Sequence, residues 1–397
     1  MHDSMLKGRN ALINLFLIGI VIVLVFNAAR GRESDEQPRI YQIPDRSDEL
    51  RLSAPMSAST YVEVDGSPYL LLLSKADNER IETADLRIIS VDPDEDIEQA
   101  GWIHTSMSIQ RPPEALTYAN GHVYVGMTRE GIERPALWVV DLSNPNRPFE
   151  ANLLNAEMPI RSLAASEDGW MVASGFDDDL IIYDIQQGNQ PEQIGSFKVP
   201  VEMPPTLSAV GSTLLVEHSA GVFTYDMHTA DSPQLIDSYD RAGWEQPEFV
   251  PTPDQFLLGN EGFTRNLPGR AILDVERNGE IIAFANGDDG VLLIEAPEQD
   301  MIDEISSMTL DGRVVSVSLD GDVAVALSAR LSQGNQVRFA VHKLDISEPG
   351  QPRLLESSQA IAGPPRYQNV IARDGNIWIL LNSTVYRFQS AESSTSP

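Results

Sequence analysis

Short apolar runs that stop at an acidic residue and give way to a turn recur along this chain. Residues 86–91 lead to Asp92, 137–140 to Asp141, 180–183 to Asp184, 222–225 to Asp226, 291–294 to Glu295 and 339–344 to Asp345. A degenerate seventh copy, 385–388, leads to Gln389. Successive anchors lie 49, 43, 42, 69, 50 and 44 residues apart. A second pattern precedes each anchor: two apolar runs joined by a glycine-bearing turn, as at Asn120-Gly121, Gly211 and Asp374-Gly375. Asn-Gly and Asp-Gly between β-branched runs predict tight hairpins. Each unit of ~40–50 residues therefore predicts four short strands.

Many of these runs are apolar at successive positions, which suits strands buried on both faces. No stretch of 10–15 residues with helical period separates them, so parallel α/β repeats are disfavoured. Four strands per unit and about seven units predict an all-β fold, a single β-propeller of seven four-stranded blades. The last unit, 366–388, supplies only three strands, whereas 40–52 lies before the first full unit, which begins near Ser57. That segment is expected to supply the missing strand, pairing the two chain ends and removing the open sheet edges. The irregular segment 245–268 accounts for the 69-residue interval.

The turns after the anchors have their own chemistry. Aspartate at a strand end can accept backbone N–H groups of the following turn, and proline presets φ while ending the ladder. Pro148, Pro191, Pro233 and Pro352 each fall seven residues after an anchor. Asp141 is followed by Leu-Ser-Asn-Pro145, and Asp345 by Ile-Ser-Glu-Pro349. The pattern resembles the LVIVD repeat, a bacterial and archaeal propeller unit, over roughly residues 57–388. The copies at Asp184 and Asp226 keep only the second proline, and those at Asp92 and Glu295 keep neither. The resemblance implies an extracytoplasmic propeller and carries over no site residues.

The N-terminus differs from all of this. Residues 15–26 form one unbroken apolar run inside 11–29, with Lys7 and Arg9 before it. As a helix at ~1.5 Å per residue, such a segment spans about 29 Å, close to the hydrocarbon thickness of a bilayer. The expected organisation is a cytoplasmic N-terminus over 1–10, a transmembrane signal anchor over 11–29, a linker over 30–39, the propeller over 40–389 and a disordered tail over 390–397. Cleavage as a signal peptide is disfavoured, because a cut after Ala28 would put Phe26 at the −3 position. The domain beyond the anchor is expected in the periplasm or outside the cell.

Composition narrows the partners. The 397 residues carry 28 basic and 59 acidic side chains, a formal charge of −31. Nucleic acid is excluded as a partner, because phosphate binding needs a basic patch. The absence of cysteine excludes disulfides, thiolate metal sites and a thiol nucleophile.

Candidate chemistry is sparse. The chain lacks G-x-S-x-G, G-x-G-x-x-G and a P-loop, and its histidines show no H-E-x-x-H spacing. Asp177, Asp178 and Asp179, with Asp288 and Asp289 at the same turn two blades on, form a candidate Ca²⁺ site or acidic docking face. The alternative is that Asp and Gly make good turns there. No other cofactor is expected, since the five tryptophans occupy different repeat positions and offer no regular quinone-docking motif. Trp244, in the irregular segment, is a candidate interface anchor. Asn382-Ser383-Thr384 is formally a glycosylation sequon, and also reads as a hairpin turn. The expectation is a membrane-anchored interaction or scaffold module, an accessory or assembly subunit with protein partners at the membrane. The alternative is an extracytoplasmic metal-assisted hydrolase or lactonase, or a small-ligand sensor.

Overall fold

The computed structural model describes residues 39–41, 49–78, 81–109, 111–128, 135–175, 179–199, 205–218, 221–240, 274–295, 303–332, 336–364 and 367–388. The predicted membrane segment 11–29, Trp244, Asp177 and Asp178 lie outside these residues. Among the described residues, no helix is long and apolar enough to cross a membrane.

The strands form seven antiparallel sheets, the blades of a propeller. Blade 1 runs Met56–Val64, Ser67–Asn78, Ile81–Ser90 and Glu98–His104, and blade 2 runs Ala115–Ala119, His122–Thr128, Pro135–Asp141 and Phe149–Asn155. Blade 3 comprises Ser162–Ser166, Trp170–Ser174, Asp179–Asp184 and Glu192–Lys198, and blade 4 Thr206–Val210, Thr213–His218, Gly221–Asp226 and Gln234–Asp240. Blade 5 is Asp274–Asn278, Ile281–Ala285, Val291–Glu295 and Asp303–Met308. Blade 6 is Arg313–Asp320, Val323–Leu331, Val337–Asp345 and Arg353–Ser358, and its sheet also takes in the short strands Arg39–Tyr41 and Ile361–Ala362. Blade 7 holds Gln368–Arg373, Asn376–Leu381 and Thr384–Phe388, and its fourth strand is Glu49–Arg51.

The first strands of successive blades neighbour one another around the ring and so line its centre. Second and third strands form the core. Trp170–Ser174 is buried throughout, and Leu70 to Leu73 are each at most 1% exposed. These strands are sandwiched between neighbouring blades, so they need apolar side chains on both faces. Each such Leu or Ile contributes about 1.5–3 kcal/mol of burial. Fourth strands face outward, and Glu192–Lys198 has no buried residue.

The hairpin turns follow their residue chemistry. Asp65-Gly66, Asn120-Gly121 and Asp374-Gly375 each place two consecutive residues at positive φ, the geometry of a type I′ turn. Asn382 also adopts a positive φ of 55° and turns the second strand of blade 7 into the third. Its Oδ1 is buried without a hydrogen-bond partner, so the sequon is built as a turn.

The strand-end aspartates cap their turns as expected. Asp141, Asp184, Asp226 and Asp345 each accept, at Oδ1, the N–H two residues on, at 2.8 to 3.0 Å. Asp92 caps its turn in the same way, accepting from the Asp94 N–H at 3.0 Å, although the strand pairing in blade 1 ends two residues earlier, at Ser90 opposite Tyr69. In blade 7 the pairing ends at Phe388, opposite Ile377, and the anchor position Gln389 lies outside the described residues.

One device escaped the sequence pattern. The fourth strand of every blade from 1 to 6 carries a one-residue bulge, at Ala100, Ala151, Ile194, Ile236, Ile305 and Leu355. The residue after the bulge meets the turn between third and fourth strands of the next blade. Ser306 Oγ donates to Pro349 O at 2.5 Å, and Asn152 Nδ2 to Asn189 O at 3.0 Å. Gly101 lies so close to Pro145 that a Cβ there would sit 2.1 Å from the Pro145 carbonyl oxygen. The bulge bends the outer strand toward its neighbour, and the carbonyl locks it there.

Closure takes the predicted form within narrower bounds. Glu49, Leu50 and Arg51 pair with Tyr386, Val385 and Thr384. Leu50 packs into the cluster containing Leu70, Trp378, Leu380 and Val385. This closing strand is short, and side chains reinforce the seam. Buried Arg387 donates from Nη1 to Asp92 O (3.1 Å) and Glu95 O (2.7 Å) in the blade 1 turn. Arg87 of blade 1 donates to Ser53 Oγ at 2.7 Å, just past the closing strand.

Candidate functional site

Two regions of the propeller carry polar or apolar groups in excess of what the blades need: the centre of the ring and its outer edge. At the centre, first strands exchange side chain to backbone hydrogen bonds in one direction around the ring. Leu207 N donates to Ser162 Oγ (2.9 Å), Val317 N to Asp274 Oδ2 (3.0 Å) and Leu319 N to Glu276 Oε2 (3.0 Å). Val370 N donates to Ser316 Oγ (3.1 Å) and Ala372 N to Ser318 Oγ (2.9 Å). Alternate positions of a first strand point into the centre, so a short acceptor on one strand reaches an N–H on the next that has no ladder partner.

The polar chain continues across four blades. Ser316 Oγ lies 2.7 Å from both Asp274 Oδ2 and Asn369 Oδ1. Asn369 Nδ2 donates to Ser59 Oγ at 3.0 Å, and Ser59 Oγ is 2.7 Å from Tyr367 OH. Burial pushes the Tyr367 phenol up to about 12, against the hydrogen bonds of Ser59 and Asn369. Glu217, on the second strand of blade 4, accepts from Ser208 Oγ at 2.8 Å. Burial holds its carboxyl well above the usual carboxylate range, Ser208 opposes this, and the nearby Asp274 charge adds to it.

Further along the same strands, Arg373 pairs with Glu276, donates to Leu319 O at 2.9 Å, and sits 5.9 Å from the centroid of Tyr61. Tyr61 stacks in turn on Trp378. These groups spend their hydrogen-bonding capacity on one another. The arrangement is a polar clasp through blades 5, 6, 7 and 1 that also joins the two ends of the ring.

The predicted acidic face is only partly within view. Asp288 and Asp289 do lie in the turn between second and third strands of blade 5, and Asp179 begins the third strand of blade 3. The Lys198 ammonium lies 3.5 Å from Asp179, and the Asp288 charge acts on Arg313. Among the described residues, no group of three or more His, Asp or Glu could hold a metal ion. Trp102 lies on a fourth strand, Trp138 on a third, and Trp170 and Trp378 on second strands.

At the outer edge, the exposed large apolar residues among those described are Trp102, Phe149, Ile194, Leu235, Ile236 and Leu355 on fourth strands; Val210, at the end of a first strand, is exposed as well. Trp102, Phe149 and Leu235 are each more than half exposed, at 52, 53 and 55%. Blades 1 to 4 contribute these edges consecutively. Sequence reasoning passed over both regions. The centre was signalled by single polar residues inside otherwise apolar first strands, such as Ser316 and Ser318, and the edge by the Leu235-Ile236 pair.

No family model matches the chain, and no curated protein does. Among solved structures, the chain is similar to the computationally designed Ika8 protein, with a TM-score of 0.52 and 11% identity over 89% of this chain and 100% of that one. At that identity the likeness concerns the fold alone.

Proposed function

We propose that this protein is a membrane-anchored, extracytoplasmic propeller of the LVIVD type that serves as a protein-interaction module, an accessory or assembly subunit of a membrane complex. One observation carries the reading: among the described residues, six of the seven exposed large apolar residues stand on outward fourth strands, those of blades 1 to 4 and blade 6. A rigid edge that leaves aromatic and aliphatic groups in water fits association with another protein. The Asx-capped, proline-bounded turns support the LVIVD relationship, and the apolar run at 15–26 supports the anchor. The hydrolase or lactonase reading leans on acidic residues, of which Asp179 lies beside Lys198 and Asp288 acts on Arg313, and the sensor reading leans on a ligand in the central channel.

The test is extraction of the full chain in mild detergent, followed by affinity purification and mass measurement. A stoichiometric protein partner is the expected result. A monodisperse monomer under conditions that preserve membrane complexes would overturn the proposal.

A further inference from the structure

The edge of blade 4 differs from the others. In blade 6 the bulge residue Leu355 is exposed, but its neighbour Leu354 packs into the core. In blade 3 the bulge residue Ile194 follows a polar residue, Gln193. In blade 4 the bulge residue Ile236 follows Leu235, and both stay exposed, at 39 and 55%. Val210 of the same blade is 39% exposed.

The charge of this blade is equally distinct. Between Lys198 and Arg241 the sequence contains no lysine or arginine, whereas the outer strand and the turn before it, 226–240, contain Asp226, Asp231, Asp237 and Asp240. Every other blade has at least one basic residue within its span. An outer strand with apolar side chains and acidic surroundings lacks only a cationic, extended complement.

The molecule already shows that a fourth strand can take such an addition. On blade 6, Arg39–Tyr41 (Arg-Ile-Tyr) adds outside Arg353–Ser358 in the same sheet. That segment begins with a basic residue and continues with apolar ones.

We infer that the edge strand Gln234–Asp240 of blade 4 docks an extended segment of a partner protein in which basic and apolar residues alternate, by adding a strand to the sheet. The inference rests on the interaction reading above and names its place and partner chemistry. Backbone hydrogen bonds along the edge supply affinity, and Leu235, Ile236 and the acidic surround supply selectivity. A second copy of this chain is a poor occupant, since pairing Gln234–Asp240 with itself would face acid against acid.

The test uses the full chain in detergent and two fluorescein-labelled octapeptides, alternating Lys-Val and alternating Glu-Val, followed by fluorescence anisotropy. Binding of the Lys-Val peptide is expected. It should weaken by about tenfold or more in Leu235→Asp, and also on raising salt from about 0.05 to about 0.5 M. The Glu-Val peptide should not bind, and Leu355→Asp on blade 6 should leave binding unchanged. Ile236→Asp serves as the second variant should Leu235→Asp lower the melting temperature. Absence of Lys-Val binding, or binding that neither blade 4 variant weakens, overturns the inference. A dimer by light scattering that Leu235→Asp dissociates overturns it too, by making a second copy the occupant. A co-purified partner retained by Leu235→Asp would sink the inference while leaving the interaction reading intact. Loss of every partner from the wild-type chain would sink both.

Discussion

Glu217 is buried in an apolar blade with the Ser208 hydroxyl as donor and the Asp274 carboxylate nearby. Its raised pKa has a definite sign for stability. Below the ordinary carboxylate range both folded and unfolded chains hold the proton, and the site costs nothing. As pH rises through that range the unfolded chain ionises first, so stability falls until the folded group ionises as well. Glu217→Gln keeps an acceptor for Ser208 without the charge. It should raise the melting temperature by about 2 °C or more at pH 8 and leave it unchanged at pH 4, as scanning calorimetry would show.

His342 runs the other way. It is held between Ser328 Oγ (2.8 Å) and Ser357 Oγ (3.0 Å), and burial lowers its pKa against the pull of Asp311. The unfolded chain therefore takes up a proton first as pH falls below about 6.5, and stability drops until the folded imidazole also titrates. Urea midpoints measured between pH 7.5 and pH 5 should fall in the wild type, and His342→Asn should flatten that slope. Neither group was legible in the sequence. A lone Glu in a strand and a lone His beside Lys343 look like surface residues until the neighbouring strands show what covers them.

The turns and bulges decide behaviour at the scale of single elements. Asp345 accepts from Ser347 N (3.0 Å), Ser347 Oγ (2.6 Å) and Arg353 Nη2 (2.6 Å), whereas Asp141 accepts from Ser143 N at 2.8 Å. Asp141→Ala should cost about 1 kcal/mol in denaturant unfolding and Asp345→Ala more, in line with the loss of local caps elsewhere. Gly101→Ala should cost about 1–3 kcal/mol or more, because its methyl would press on the Pro145 carbonyl and neither backbone can yield without opening the joint between blades 1 and 2.

Caps and hairpins were readable in advance because they depend on a few adjacent residues. Bulges were not, because an extra residue is defined only by the partner strand it fails to match. The same limit hides the strand end in blade 1. Asp92 ends an apolar run and caps its turn as Asp141 does, and only the pairing of Ser90 with Tyr69 shows that the strand has stopped two residues earlier.

For the whole molecule, the arithmetic of repeats was enough to give the number of blades and the source of the closing strand. It could not give the strand's length. Three residues, 49–51, close the ring, and Arg387, Arg87 and the clasp of Ser59, Asn369 and Tyr367 share the work. Leu50→Pro removes a backbone N–H and a packed side chain from this strand. Limited proteolysis should then cut blade 7 well before the other blades, and urea unfolding should broaden or split. A single unaltered transition with the wild-type cleavage pattern would show that the side-chain seam alone holds the ring.

The pairing of Leu50 with Val385 also bears on how the chain is made. A ribosome delivers 49–51 before blade 1 and Thr384–Phe388 after blade 6. Six sheets can form as their residues emerge, yet Leu50 waits for a partner until blade 7 has been made. A product cut short within blade 7 would leave that strand orphaned and an apolar cluster open to proteases. The architecture thus ties the survival of an early-made strand to the synthesis of the last blade.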